Sequence, residues 1–303
     1  MKKIFITILF ALISTEMLAK DFEKGMTAFQ EDNFVTALEE WMPLAEQGNV
    51  RAQFYLGNMY EYGKGVLKDD AEAVRWYRLA AEQGDTLAQA KLGNMYAYGK
   101  GVLKDDAEAV HWYRLAAKQG DTLAQANLGN MYEHGKGILK DDAEAVRWYR
   151  LAAEQGDTFA QFKLGTMYRD GIGVSKDDTE AVRWHRLAAE QGYDVSQTEL
   201  GNMYERGHGV LKDDAEAVRW YCLAAKQGNA RAQSNLGVMY NNGTGVPKHA
   251  IFAHMWYTIS SANGYERAAS KRDSITIEMT QDDITEATRR ARVCMASNYQ
   301  DCN

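Results

Sequence analysis

Between Asp85 and Tyr98 the apolar residues Ala88, Leu92, Met95 and Tyr96 fall three and four positions apart, a spacing that lines one face of an α-helix. From Asp105 to Gln119 the rule returns with Ala109, Trp112, Tyr113, Ala116 and Ala117, so a second helix follows the first. The pair predicts a helical hairpin. It is one copy of many: Trp76, Trp112, Trp148, Trp184, Trp220 and Trp256 stand 36 residues apart. Leu56, Leu92, Leu128, Leu164, Leu200 and Leu236 keep the same interval, each opening a Leu-Gly-x-Met-Tyr run. Six units fill positions 49–264, and self-similarity at such a period is the mark of a solenoid.

The stretch Lys64–Gly84, KGVLKDDAEAVRWYRLAAEQG, is the joint and second helix of one unit. Gly63 falls where a left-handed residue would cap the first helix, and Gly65 lets the chain reverse. Val66 and Leu67 are then expected to fold back on the hairpin. Asp69, three residues before Glu72, has capping-box spacing, Gly84 ends the helix, and Trp76 and Tyr77 are its large core residues.

Outside the six units the pattern changes. Residues 20–48 hold a divergent hairpin, with Trp41 only 35 positions before Trp76, no glycine joint, and Pro43 inside its second helix. Residues 265–303 lose the repeat and are expected to form a helical cap. Its last helix starts at Thr280, with Asp283 three residues on and a buried stripe of Ile284, Ala287, Ala291 and Cys294.

Residues 1–19 have two lysines, an apolar run from Ile4 to Ile13 and a polar stretch ending at Ala19. That is the layout of a secretory signal peptide cut after Ala19, the apolar run being short for a membrane span. A periplasmic or secreted monomer with no stable membrane insertion is expected. In such a compartment Cys294 and Cys302 are expected to pair, the alternative being two free thiols. Cys222 replaces Arg78, Arg114, Arg150 and Arg186 of the sister units and reads as a small filler.

The frame is similar to the Sel-one-like repeat family, relatives of the tetratricopeptide repeats. AQxxLGxMYxxGxGV and DxxEAVRWYRLAAxQG carry the likeness over residues 49–264, and Phe22–Gly48 resembles the family's N-terminal unit. The resemblance implies an all-α, right-handed α/α superhelical solenoid whose first helices line a concave groove for a protein or peptide. A cysteine-rich branch of that family is linked to β-lactams, but its repeats each carry a cysteine pair, and these six hold one cysteine in all.

Composition narrows the chemistry. Acidic residues outnumber basic ones 42 to 35, which argues against a nucleic-acid partner. Gly-Lys-Gly follows a helix and recurs, so it reads as a turn and not a phosphate cradle. His134 and His208 are placed in joints, His111 and His185 on second helices, and His249 and His254 near the last unit, with no metal-ligand spacing among them. The paired aspartates, from Asp69 and Asp70 onward, sit at one helix start in each unit and read as caps. No enzyme, metal or cofactor is expected.

What varies on the constant frame lies on the first helices. Phe54 and Tyr55 become Ala90 and Lys91, Ala126 and Asn127, Phe162 and Lys163, Thr198 and Glu199, then Ser234 and Asn235. One turn on stand Asn58, Asn94, Asn130, Thr166, Asn202 and Val238. Phe54, Tyr55, Asn58, Lys91, Asn94, Asn127, Asn130, Phe162, Lys163, Glu199, Asn202 and Asn235 are the expected partner contacts, with the asparagines suited to an extended peptide backbone. A noncatalytic envelope adaptor is the leading expectation. An envelope enzyme acting on β-lactam or peptidoglycan, and a secreted factor engaging host proteins, are the alternatives.

Overall fold

The computed structural model describes residues 21–302; the expected signal segment and its cut after Ala19 lie outside them. Sixteen helices and no strand occur among the described residues. The chain divides into two units between Lys140 and Asp141. In the first, α1 (Phe22–Gln30) pairs with α2 (Phe34–Glu46), α3 (Val50–Tyr62) with α4 (Asp70–Glu82) and α5 (Thr86–Tyr98) with α6 (Asp106–Lys118), and α7 (Thr122–His134) follows. Each helix packs on its neighbours in sequence, as in a solenoid of hairpins.

The second unit opens with α8 (Asp142–Glu154). Three hairpins follow: α9 (Thr158–Asp170) with α10 (Asp178–Glu190), α11 (Asp194–Arg206) with α12 (Asp214–Ala225), and α13 (Ala230–Asn242) with α14 (Ala250–Ala262). Then α15 (Arg267–Thr276) and α16 (Gln281–Ala296) both pack on α14.

The paired aspartates start helices. The Asp69 carboxylate accepts the backbone N–H groups of Ala71 and Glu72, and Asp105, Asp141, Asp177 and Asp213 repeat the arrangement. Two otherwise orphaned donors are satisfied at each start. The box is half made, because Glu72 turns to Arg75 at 3.0 Å. Gly63 caps α3 at φ 67°, and Gly65 also lies in the left-handed region at φ 70°.

Two devices lock hairpins within each unit. The glycine of each Leu-Gly-x-Met-Tyr run is a poor helix former, by about 1 kcal/mol against alanine. Its place is set by the next helix: a Cβ on Gly93 would lie 2.6 Å from the ring of Tyr113, and one on Gly201 2.6 Å from Tyr221. The second device is a buried amide ladder. Gln89 donates to Ala81 O at 3.1 Å and accepts from Gln119 at 2.8 Å, joining one hairpin to the previous one. Gln197 does the same with Ala189 and Gln227. A buried amide needs such partners, and here they also fix the register of the stack.

Several expectations change. Val66 packs against the cluster around Trp76, but Leu67 points to solvent, as do Leu103, Leu139 and Leu211, all about nine-tenths exposed. The Gly-x-Gly turn is too tight to bring both apolar residues inward. His134 closes α7 instead of lying in the joint. In α16, Ala287, Ala291 and Cys294 are buried, whereas Ile284 is only half-buried at the helix's first turn. Thr280 caps α16 with Asp283 in both directions, at 3.2 and 2.7 Å. Cys294 and Cys302 form a disulfide with Cα atoms 4.5 Å apart. At the other end α2 runs through Pro43, and Trp41 is fully buried with its indole N–H on Phe22 O at 3.1 Å.

Candidate partner-binding site

The twelve expected contacts fall on first helices, and most tie one hairpin to the next. In the first unit Lys91 reaches Glu61 and Tyr62 on the preceding first helix, each at 2.8 Å. Tyr77 donates to the same Glu61 carboxylate at 2.6 Å and to Asn58 Oδ1 at 3.0 Å. Burial raises the Glu61 pKa, but the hydrogen bonds from Lys91 and Tyr77 outweigh it and leave the carboxyl below its ordinary value. Asn94 Oδ1 accepts from Tyr113 at 2.7 Å and from Asn127 at 3.4 Å. Tyr55 sits among Trp41, Phe22 and Phe29, with the Trp41 ring at 4.9 Å, and Phe54 edges onto Tyr55 at 5.4 Å. Asn130 and Asn127 border a small cavity with Tyr98 and Lys136.

The second unit repeats the pattern with other chemistry. Asn202 Oδ1 accepts from Tyr221 at 2.7 Å and from Asn235 at 3.1 Å. Glu199 is buried between Arg169 at 2.7 Å and Arg231 at 3.2 Å, an arrangement whose sign is the reverse of Glu61 with Lys91. Phe162 lies against His185 and Tyr193, and the Lys163 ammonium lies 5.6 Å from the Phe159 ring. The carbonyls of Asn58, Asn94 and Asn202 are thus spent on tyrosines, and of these Asn94 and Asn202 keep their amide N–H groups for a ligand, whereas Asn58 donates to Phe54 O.

His185 occupies the position of Tyr77, Tyr113 and Tyr221. It is fully buried; Nε2 has no partner and Nδ1 is 3.5 Å from Ser196 Oγ. Burial, reinforced by Arg169 and opposed by Asp170, pushes its pKa down to about 3. An unfolded chain takes up this proton near pH 6.5 and the folded chain does not until near 3, so stability contributed here is complete above 6.5 and falls with pH below it. From pH 7 to 5 the loss from this residue should be about 2 kcal/mol. Urea midpoints at the two pH values should therefore differ more in the native chain than in His185→Tyr; equal differences would remove His185 as the cause.

Cys222 confirms a filler role. Arg114 and Arg186 donate to Tyr132 and Tyr204 at 3.3 and 2.6 Å, whereas Tyr240, opposite Cys222, stacks on Phe252 at 5.2 Å. Burial raises the Cys222 thiol, which disfavours the reactive thiolate. Among the described residues no group of three His, Cys, Asp or Glu side chains is placed to hold a metal ion, and no helix is long and apolar enough to cross a membrane.

One cluster was not anticipated. In the second unit Arg169, Arg206, His208 and Arg231 line a cavity of about 370 Å³ with Asp170, Glu199 and Asn202. The signal was present one turn beyond the asparagines, where Tyr62 and Tyr98 give way to Asp170 and Arg206.

The Sel1 repeat matches six consecutive segments, residues 50–85, 86–121, 122–157, 158–193, 194–229 and 230–271. A solved Sel1 repeat protein from Oxalobacter formigenes is 35% identical, covering 80% of this chain and 97% of that one, with a TM-score of 0.68. A protective antigen present in uropathogenic Escherichia coli strains, displaying an SLR fold, is 31% identical over 96% of this chain and 73% of that one, with a TM-score of 0.69. No curated protein matches the chain.

Proposed function

The chain belongs to the Sel1 repeat family, and we propose that it is a noncatalytic adaptor of the cell envelope that holds a protein or peptide on its first helices. Proteins of this family generally mediate protein–protein interactions, and its scaffolds are typically noncatalytic. The observation that carries the reading is the contrast between an invariant frame and a changing first-helix face: Lys91, Asn127, Lys163, Glu199 and Asn235 occupy one position in five successive hairpins. A frame that needed only to stack would not need cationic, amide and anionic side chains at that one position. The Cys294–Cys302 disulfide suits an oxidising compartment, which supports a periplasmic or secreted location.

A second reading places the partner in a host, and it rests on the relative from uropathogenic Escherichia coli that is a protective antigen. Both readings use the same surface. A photo-crosslinking residue at Asn130, on a first helix, should yield adducts in intact cells or with host extract, whereas one at exposed Leu187, on a second helix, should not. Equal adducts from both positions, or none from Asn130, would count against the first-helix face.

A further inference from the structure

The cavity between the ends of α9 and α11 and the start of α13 gathers three guanidinium groups, where the cavity bordered by Asn127 and Asn130 has the ammonium groups of Lys104 and Lys136. Arg169 stands where the first unit has Glu61, Ala97 and Glu133, and Arg206 where it has Tyr62, Tyr98 and His134, while His208 replaces Lys64, Lys100 and Lys136. Two of the three guanidinium groups are already engaged. Arg169 is held by Asp170 through two hydrogen bonds of 2.7 and 2.9 Å and by Glu199 at 2.7 Å. Arg231 spends Nη1 on Glu199 at 3.2 Å. Glu199 therefore sits buried under two cations and serves to aim them.

Arg206 differs. It is exposed on the last turn of α11 and makes no ion pair among the described residues. Asn202, four residues earlier and so on the same face, commits its Oδ1 to Tyr221 and Asn235 and leaves its Nδ2 donor unused. His208 lines the same wall. Donors from Asn202, Arg206, His208 and the free nitrogens of Arg231 thus border one concave space, whose walls focus the surplus charge. A guanidinium meets a planar carboxylate with two parallel hydrogen bonds. The cavity's own carboxylates, Asp170 and Glu199, disfavour a dianion such as phosphate more than a single negative charge.

We infer that this cavity is a carboxylate subsite, taking an acidic side chain or the C-terminus of a peptide bound along the first helices. The inference rests on the adaptor reading and adds the chemistry of one anchor point.

The test is an NMR titration of the purified full chain with three short glycine-serine peptides, N-acetylated throughout. One carries Asp-Glu with an amidated end, one Asn-Gln with an amidated end, and one Asn-Gln with a free C-terminal carboxylate; inorganic phosphate is the competitor. At least one carboxylate peptide should shift the Arg206 and Asn202 side-chain signals and bind about tenfold more tightly than the doubly neutral one, with affinity falling as NaCl rises. Which of the two binds tells the side chain from the terminus. Arg206→Gln should lose that tenfold preference, while Arg75→Gln, on a second helix of the first unit, should keep it. Equal binding of charged and neutral peptides, an unchanged Arg206→Gln variant, or displacement by equimolar phosphate would overturn the carboxylate subsite. Photo-crosslinking from Asn130 that persists in Arg206→Gln alongside such a result would leave the adaptor reading standing; loss of all crosslinking in the native chain would count against that reading itself.

Discussion

Trp220→Ala should lower the stability of the second unit by about 3–5 kcal/mol, the usual range for truncating a large buried aromatic. Trp220 is 6% exposed and packs among Ala181, Val182 and Ala189 of α10 and Leu200 and Met203 of α11. It therefore belongs to two hairpins at once, and its loss opens a cavity at their junction. Stability in a stack of repeats resides in such nearest-neighbour interfaces. The indole N–H has no acceptor, so Trp220→Phe removes a buried unpaired donor along with some area. Urea denaturation followed by circular dichroism should show the alanine variant melting early and the phenylalanine variant close to native. An alanine variant within about 1 kcal/mol of native would remove Trp220 from the interface, and a phenylalanine variant as damaged as alanine would mean that the lost ring area outweighs relief of the unpaired donor.

The frame was legible because periodicity records packing. Tryptophans 36 residues apart, apolar steps of three and four, and aspartates at one helix start each describe a position buried or capped in the same way every time. Leu67 shows where that logic stops: the repeat says that its environment recurs, and does not say whether the environment is core or solvent. The buried glutamines failed in the opposite sense. A polar residue such as Gln89 reads as surface until its partners, Ala81 O and Gln119, are brought to it by the fold.

The candidate contacts were legible only in part. Their variation marked the first helices, but variation cannot show that Lys91 is tied to Glu61 or that Asn202 serves Tyr221. Those pairs lie 30 and 19 residues apart, and only the stacking register makes them neighbours. The same register gathers Arg169, Arg206 and Arg231 from three first helices, so no local motif announces the cavity.

The joint itself yields the other large effect. Gly101→Ala should cost at least about 3 kcal/mol, from two sources that add. The residue has φ 66°, where a Cβ costs roughly 1–2 kcal/mol. That Cβ would also lie 2.0 Å from Asp70 O and 2.2 Å from Asp70 C, backbone atoms at the start of α4 in the preceding hairpin. A flexible side chain could swing aside, but the first turn of a capped helix cannot, so the hairpins must separate and give up part of their shared core. Gly120 supplies the control within the same repeat. At φ 95° it is equally left-handed, yet nothing lies within 4 Å of its Cβ position, so Gly120→Ala should cost only the backbone strain. Denaturation midpoints should rank native, Gly120→Ala and Gly101→Ala in falling order, with the last gap the wider. If the two alanine variants unfold together, the second glycine of the joint is there for its dihedral angle alone and the contact with Asp70 carries no stability.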